Sequence, residues 1–168
     1  MSVTEFVELA DGRRFGLACY GAADGLPVLA LHGAPASRIM FDVTDGPAKD
    51  LGLRLLCPER PGYGVTPGDK GATLETRAAD LEAIADRLGL TRFSVLGVSG
   101  GGPYAVALAE RLQSRVAGLA LVSPMGPIAQ FMAAKREGTL GAHHGYVPRA
   151  QRLFFLELPK RRRLLALQ

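Results

Sequence analysis

One serine stands in a pattern that chemistry can use. An apolar run, Phe93-Ser94-Val95-Leu96, meets Gly97-Val98-Ser99-Gly100-Gly101, and helix-forming residues follow from Tyr104 to Leu112. By period this reads as strand, sharp turn and helix. A G-x-S-x-G pattern at such a junction is a nucleophile elbow: a tight turn lifts the serine Oγ above the sheet, and the flanking glycines leave room for a crowded backbone. Ser99 is therefore the candidate nucleophile. The helix behind it offers the free N–H of Gly100 to a developing oxyanion, and the positive end of its dipole favours negative charge at the same place. A glycine-rich strand-to-helix turn also suits a phosphate. The motifs for that reading are missing, because position 99 holds serine where G-x-G-x-x-G would put glycine and no G-x-x-x-x-G-K-[ST] occurs.

The elements that must carry this turn follow from the rest of the chain. Val3 to Leu9 and Arg13 to Cys19 read as two strands, the second placing Phe15, Leu17 and Cys19 on one face, with hairpin chemistry in Ala10-Asp11-Gly12. Pro27 to Leu31 is a continuous apolar run of the kind found in a sheet covered on both faces, and it ends in His32-Gly33-Ala34-Pro35. A short helix is expected from Pro47 to Leu51, capped by Asp45 or Gly46. A strand follows from Leu53 to Cys57, running into Pro58-Glu59-Arg60-Pro61-Gly62-Tyr63-Gly64, which is too rich in Pro and Gly for regular structure. Thr73 to Leu88 places Leu74, Ala78, Leu81, Ala85 and Leu88 on one helical face, with Thr73 as N-cap and Gly89 past the end. Val116 to Val122 is one more buried strand. Strands alternating with helices imply right-handed βαβ units, hence an α/β fold with a mostly parallel sheet and an N-terminal antiparallel hairpin. In such a sheet ligands sit beyond the carboxyl ends of the strands, where His32-Gly33, Arg60-Pro61 and Ser99 all fall.

Composition bounds the alternatives. The chain has 168 residues, 48% hydrophobic and 21% charged, about one globular domain. Its net charge of +4 is unevenly placed: residues 127 to 168 carry 8 Lys/Arg against 2 Asp/Glu, and the rest carries 12 against 14. The cluster Lys160-Arg161-Arg162-Arg163 reads as a solvated helix face, and no nucleic-acid partner is expected. The N-terminal residues carry no basic leader, and apolar stretches such as Val116 to Val122 fall far short of the ~20 residues a membrane span requires, so a cytoplasmic location without a membrane span is expected. Cys19 and Cys57 sit in no metal-ligand spacing and read as two buried thiols. Neither a metal nor a cofactor is expected. From residue 127 the chain changes character, with helical pieces at Ala129 to Glu137 and Ala150 to Leu158. The expected organisation is a core over 1–126 and the start of a helical cap or lid over 127–168.

Taken in order, His32-Gly33-Ala34-Pro35 after the third strand, Arg60-Pro61-Gly62-Tyr63-Gly64 after the fourth, and Gly97-Val98-Ser99-Gly100-Gly101 after the fifth resemble the motifs of the α/β-hydrolase fold superfamily. The resemblance covers about residues 3 to 126. It implies a serine hydrolase that acts on an ester, thioester or amide of a small-molecule acyl substrate through an acyl-enzyme on Ser99. It further implies an oxyanion hole from the N–H groups of Gly100 and Ala34, with His32 and Gly33 in the active-site loop and His32 ordering that loop instead of acting as base. Serine at the elbow argues against the epoxide and haloalkane branches, which use aspartate there. Glu59 stands where aspartate is common, and Thr66 where serine is.

The family's triad places an acid and then a histidine after the nucleophile. After Ser99 there is no aspartate; Glu110, Glu137 and Glu157 are the acids, and His143 and His144 the histidines. None follows a strand end. The chain is thus expected to be an incomplete hydrolase, inactive alone, with the last strands of the fold missing and the edge along Val116 to Val122 uncovered. A non-catalytic, hydrolase-like binding module is the alternative, and a nucleotide-binding α/β domain a more distant one.

Overall fold

The computed structural model describes residues 5–126 and the backbone of 165–167. Strands β1 (Glu5–Glu8) and β2 (Arg14–Gly21) form the antiparallel hairpin, turned at Gly12, whose φ of 82° is open to glycine at no cost. β3 (Leu26–Leu31), a 3-10 turn over Arg38–Thr44 and helix α1 (Asp45–Asp50) follow, then β4 (Leu53–Pro58). Helix α2 (Leu74–Arg87) leads to β5 (Phe93–Val98), helix α3 (Gly102–Arg111) and β6 (Val116–Val122). The sheet order is β1-β2-β4-β3-β5-β6, extended by β7 (Leu165–Leu167). β1 and β2 are antiparallel to their neighbours and all other pairs are parallel.

Period-2 alternation splits the core into two layers. Val28 and Ala30 join Ala18, Tyr20, Leu55 and Cys57 beneath Phe41 and Ala48 of the 3-10 turn and α1. Leu29 and Leu31 point the other way, joining Phe15, Leu17, Leu56, Phe93 and Val95 against Leu81, Ile84 and Ala85 of α2 and Ala105 and Leu108 of α3. α2 is held at its start by a reciprocal cap, in which Thr73 Oγ1 accepts from the Thr76 N–H at 3.2 Å and Thr76 Oγ1 accepts from the Thr73 N–H at 2.9 Å. Its stop is Gly89, at φ 67°.

Several expectations need correction. The helix near Pro47 starts earlier, at Asp45, because the 3-10 turn before it supplies its first turn and Thr44, with no side-chain cap bond, takes the N-cap place. Leu74, expected on the buried face of α2, is exposed at the helix's first position, while Ile84 is buried. Cys57 is buried, but Cys19 is only half-buried. The edge expected to be bare is paired in part: Leu165, Ala166 and Leu167 lie parallel to Ala120, Leu121 and Val122. A three-residue strand is too short to show a period in sequence, yet it satisfies edge backbone groups that pairing rewards. The start of the first strand at Val3, the expected helices at 129–137 and 150–158, and the basic cluster at 160–163 lie outside the described residues.

Candidate active site

Ser99 lies where the chain reverses direction across the sheet. β3 leads into α1 on one face, its neighbour β5 leads into α3 on the other, and between two such strands a crevice opens at their carboxyl ends. His32, Gly33 and Ala34 leave β3 on one side of Ser99. On the other, Pro124 and Met125 leave β6, and the Met125 N–H donates to the Ser99 carbonyl at 2.9 Å. Ser99 has φ 48°, a left-handed conformation that costs a residue with a side chain ~1–2 kcal/mol, and it is half-buried. The turn is the strained strand-to-helix junction that the glycine pattern around it calls for.

The glycines on either side have identifiable steric reasons. A Cβ on Gly97 would lie 2.6 Å from Ala105 Cβ and 2.9 Å from Gly102 Cα, so only glycine lets α3 pack this closely on β5. On Gly101 it would lie 2.2 Å from the Leu31 carbonyl oxygen. Gly33 faces the serine itself, for a Cβ there would approach Ser99 Cβ to 3.2 Å and Oγ to 3.8 Å. Gly100 faces Ala34, since its Cβ would meet the Ala34 nitrogen at 3.3 Å and Met125 Sδ at 3.4 Å. The backbones of Gly33, Ala34, Ser99 and Gly100 therefore converge on one small region.

His32 is fully buried behind this region. Its Nε2 accepts from the Arg60 N–H at 3.0 Å, which fixes the proton on Nδ1, and Nδ1–H donates to the Gly33 carbonyl at 2.8 Å. Burial pushes its pKa down to about 4, aided by the nearby charge of Arg60 and opposed by the bond to Gly33. With both nitrogens engaged, His32 orders the loop and has none to offer Ser99. The Arg60 Nη2 donates to the same Gly33 carbonyl at 2.7 Å, and its guanidinium lies 4.5 Å from the centre of the Tyr63 ring and 5.2 Å from that of Tyr104.

Glu59 anchors the loop from below. Its buried carboxylate pairs with Arg38, accepts the Val65 N–H at 2.8 Å, and is reached by Thr66 Oγ1, which itself accepts the Gly16 N–H at 2.9 Å. Gly64 wraps so closely on the Glu59 side chain that no Cβ fits there. Arg38, Met125 and Tyr104 were not signalled by the sequence as part of this region, because each is a single residue outside any motif.

Among the described residues Ser99 Oγ has no hydrogen-bond partner, and Glu110 is exposed on α3. Glu137, Glu157, His143 and His144 lie outside the described residues. An open cleft of about 320 Å3 runs between α2, α3 and the ends of β3 and β4, lined by Arg60, Tyr104, Ile84 and Pro58 among others. Ser99 does not line it, so this cleft and the serine are separate, with the Arg60 side chain common to the cleft wall and the Gly33 loop.

Residues 27–152 match the family described as alpha/beta hydrolase fold. The chain belongs to the alpha/beta hydrolase fold family. Within this family it is 33% identical over 124 residues to a non-heme chloroperoxidase from Streptomyces lividans, covering 73% of this chain and 45% of that protein. It is 34% identical over 91 residues to a proline iminopeptidase from Lactobacillus delbrueckii subsp. lactis, covering 51% of this chain and 31% of that one. The structure of an esterase from Exiguobacterium antarcticum superposes with a TM-score of 0.65 at 29% identity, over 73% of this chain and 46% of the esterase. This alpha/beta hydrolase chain thus spans less than half the length of each of these three proteins. Among its described residues no helix is long and apolar enough to cross a membrane.

Proposed function

We propose that this chain is the nucleophile-bearing part of a serine hydrolase, acting on an ester, thioester or amide through an acyl-enzyme on Ser99. One observation carries the reading: a serine held at φ 48° at the sheet's reversal point, with the Ala34 nitrogen packed against Gly100 beside it. In the reaction Ser99 Oγ bonds to the acyl carbon as its proton passes to a base. The tetrahedral oxyanion lies between the N–H groups of Ala34 and Gly100, then collapses, and the leaving oxygen, sulfur or nitrogen departs with that proton. Water repeats the sequence and releases the acid. Similarity to an esterase and to a proline iminopeptidase supports acyl transfer in general. The free thiols Cys19 and Cys57 support a reducing compartment, the cytoplasm.

A base has to come from beyond the described residues, since a serine at its free pKa is a poor nucleophile. That requirement favours the second reading, a hydrolase-like module without catalysis, in which Ser99 persists without partners. Labelling with a fluorophosphonate separates them. The protein from the complete reading frame should be labelled on Ser99 and should hydrolyse short-chain p-nitrophenyl esters, and Ser99→Ala should lose both with the fold intact. Esterase turnover at the wild-type rate in Ser99→Ala would remove Ser99 from the mechanism.

A further inference from the structure

We infer that Arg60 is a positioning residue for the oxyanion hole: its guanidinium, bonded to the Gly33 carbonyl, aims and polarises the N–H of Ala34. The inference rests on the acyl-enzyme reading above. Its physical basis is that the Gly33 carbonyl and the Ala34 N–H belong to one planar peptide unit, and in a trans peptide they point in opposite directions. Whatever fixes the carbonyl therefore fixes the N–H. That carbonyl receives two donors, Arg60 Nη2 at 2.7 Å and His32 Nδ1 at 2.8 Å. The first is cationic, and a charge-assisted bond to an amide oxygen draws electron density from the amide nitrogen, which makes its N–H a stronger donor.

The position of Arg60 is itself fixed three ways. Its backbone N–H donates to His32 Nε2 at 3.0 Å, so the same residue sets the tautomer that lets His32 donate to Gly33. The guanidinium lies 4.5 Å from the Tyr63 ring centre and 5.2 Å from that of Tyr104, and the Tyr63 ring meets His32 edge-on at 5.2 Å between centres. No salt bridge joins Arg60 to a carboxylate among the described residues, and the neighbouring Glu59 is bonded to Arg38 instead. Among the described residues the positive charge of Arg60 is thus directed at the Gly33 peptide with no acid salt-bridged to it. A group that only braced the loop would work as well with its charge matched.

The test uses the protein from the complete reading frame and a fluorophosphonate, whose phosphoryl oxygen takes the oxyanion's place as Ser99 is phosphonylated. For wild type, Arg60→Lys, Arg60→Gln and Arg60→Met, the maximal labelling rate and the half-saturating probe concentration are measured separately. Arg60→Met should lower the maximal rate about ten- to a hundredfold with half-saturation changed less than about twofold, because the lost interaction acts in the transition state. Arg60→Lys and Arg60→Gln, which keep a donor, should fall between. Should Arg60→Met fail to fold, as judged by near-ultraviolet circular dichroism, the Lys and Gln variants carry the same comparison against wild type. Wild-type maximal rates in the folded variants, or a loss confined to half-saturation, would overturn the inference while leaving Ser99 as nucleophile. If wild type is not labelled, or Ser99→Ala is labelled equally, the acyl-enzyme reading fails and the role of Arg60 falls with it.

Discussion

Replacing Gly97 by alanine tests the link between packing and the elbow most directly. The new Cβ would lie 2.6 Å from Ala105 Cβ, 2.9 Å from Gly102 Cα and 3.1 Å from the Gly101 carbonyl oxygen. Carbon atoms in ordinary contact are ~3.5–4.0 Å apart, so α3 and β5 must separate by about 1 Å. Two of the three atoms are backbone, and neither can rotate away. Overpacking of this size costs ~1–3 kcal/mol, and because Ser99 joins the two displaced elements, a 1 Å misplacement of its Oγ lowers the reaction rate by about a hundredfold. A matched control sits on the neighbouring strand: among the described residues a Cβ on Gly118 would meet only Ser94 Oγ, at 3.6 Å, an ordinary contact. Gly118→Ala should be neutral or stabilise by ~0.4–1 kcal/mol through the unfolded chain. The assay is a urea unfolding midpoint for each variant, paired with the fluorophosphonate labelling rate. Equal midpoints and equal labelling rates for Gly97→Ala and Gly118→Ala would refute the argument that glycine at position 97 is a steric requirement of the elbow.

Two further outcomes follow from the loop beneath the serine. Glu59→Gln, which removes the carboxylate facing Arg38 in a buried site, should destabilise by ~3–5 kcal/mol in urea unfolding, and a loss under about 1 kcal/mol would show that the pair contributes little. His32 is neutral when folded, with a pKa of about 4 against an ordinary 6.5, so the unfolded chain binds the proton more readily. Stability from this group is therefore full above pH 6.5 and is lost as pH falls through 4, by about 3 kcal/mol in all, and a His32 imidazole that titrates near 6.5 by NMR in the folded protein would contradict it.

Residue types and their order determined much of the fold. The apolar runs Pro27 to Leu31 and Phe93 to Leu96, the Thr73 and Gly89 boundaries of α2, and the hairpin at Asp11-Gly12 are local signals, because caps and turns act within a few residues and an apolar run lies within one element. The elbow around Ser99 was legible because its G-x-S-x-G pattern is written in five adjacent residues, although the contacts that require its glycines, with Leu31, Ala34 and Ala105, are not. The pairing of Leu165–Leu167 with β6 was not legible, since three residues carry no period and the partner lies more than forty residues away. Nor was the exposure of Leu74, which depends on where the helix end meets the rest of the molecule.

The candidate site divides along the same line. By itself the sequence determined that Ser99 closes a strand and opens a helix, and that His32-Gly33 and Arg60-Pro61 also follow strands. Only the tertiary structure decided that β3 and β5 are neighbours sending their helices to opposite faces, which brings Ala34 against Gly100. It alone decided that Arg60 and His32 share one carbonyl, and that Glu59 faces Arg38 across 21 residues of chain. These contacts join segments distant in sequence, and their energies come from burial and from hydrogen bonds between those segments, so no window of neighbouring residues contains them.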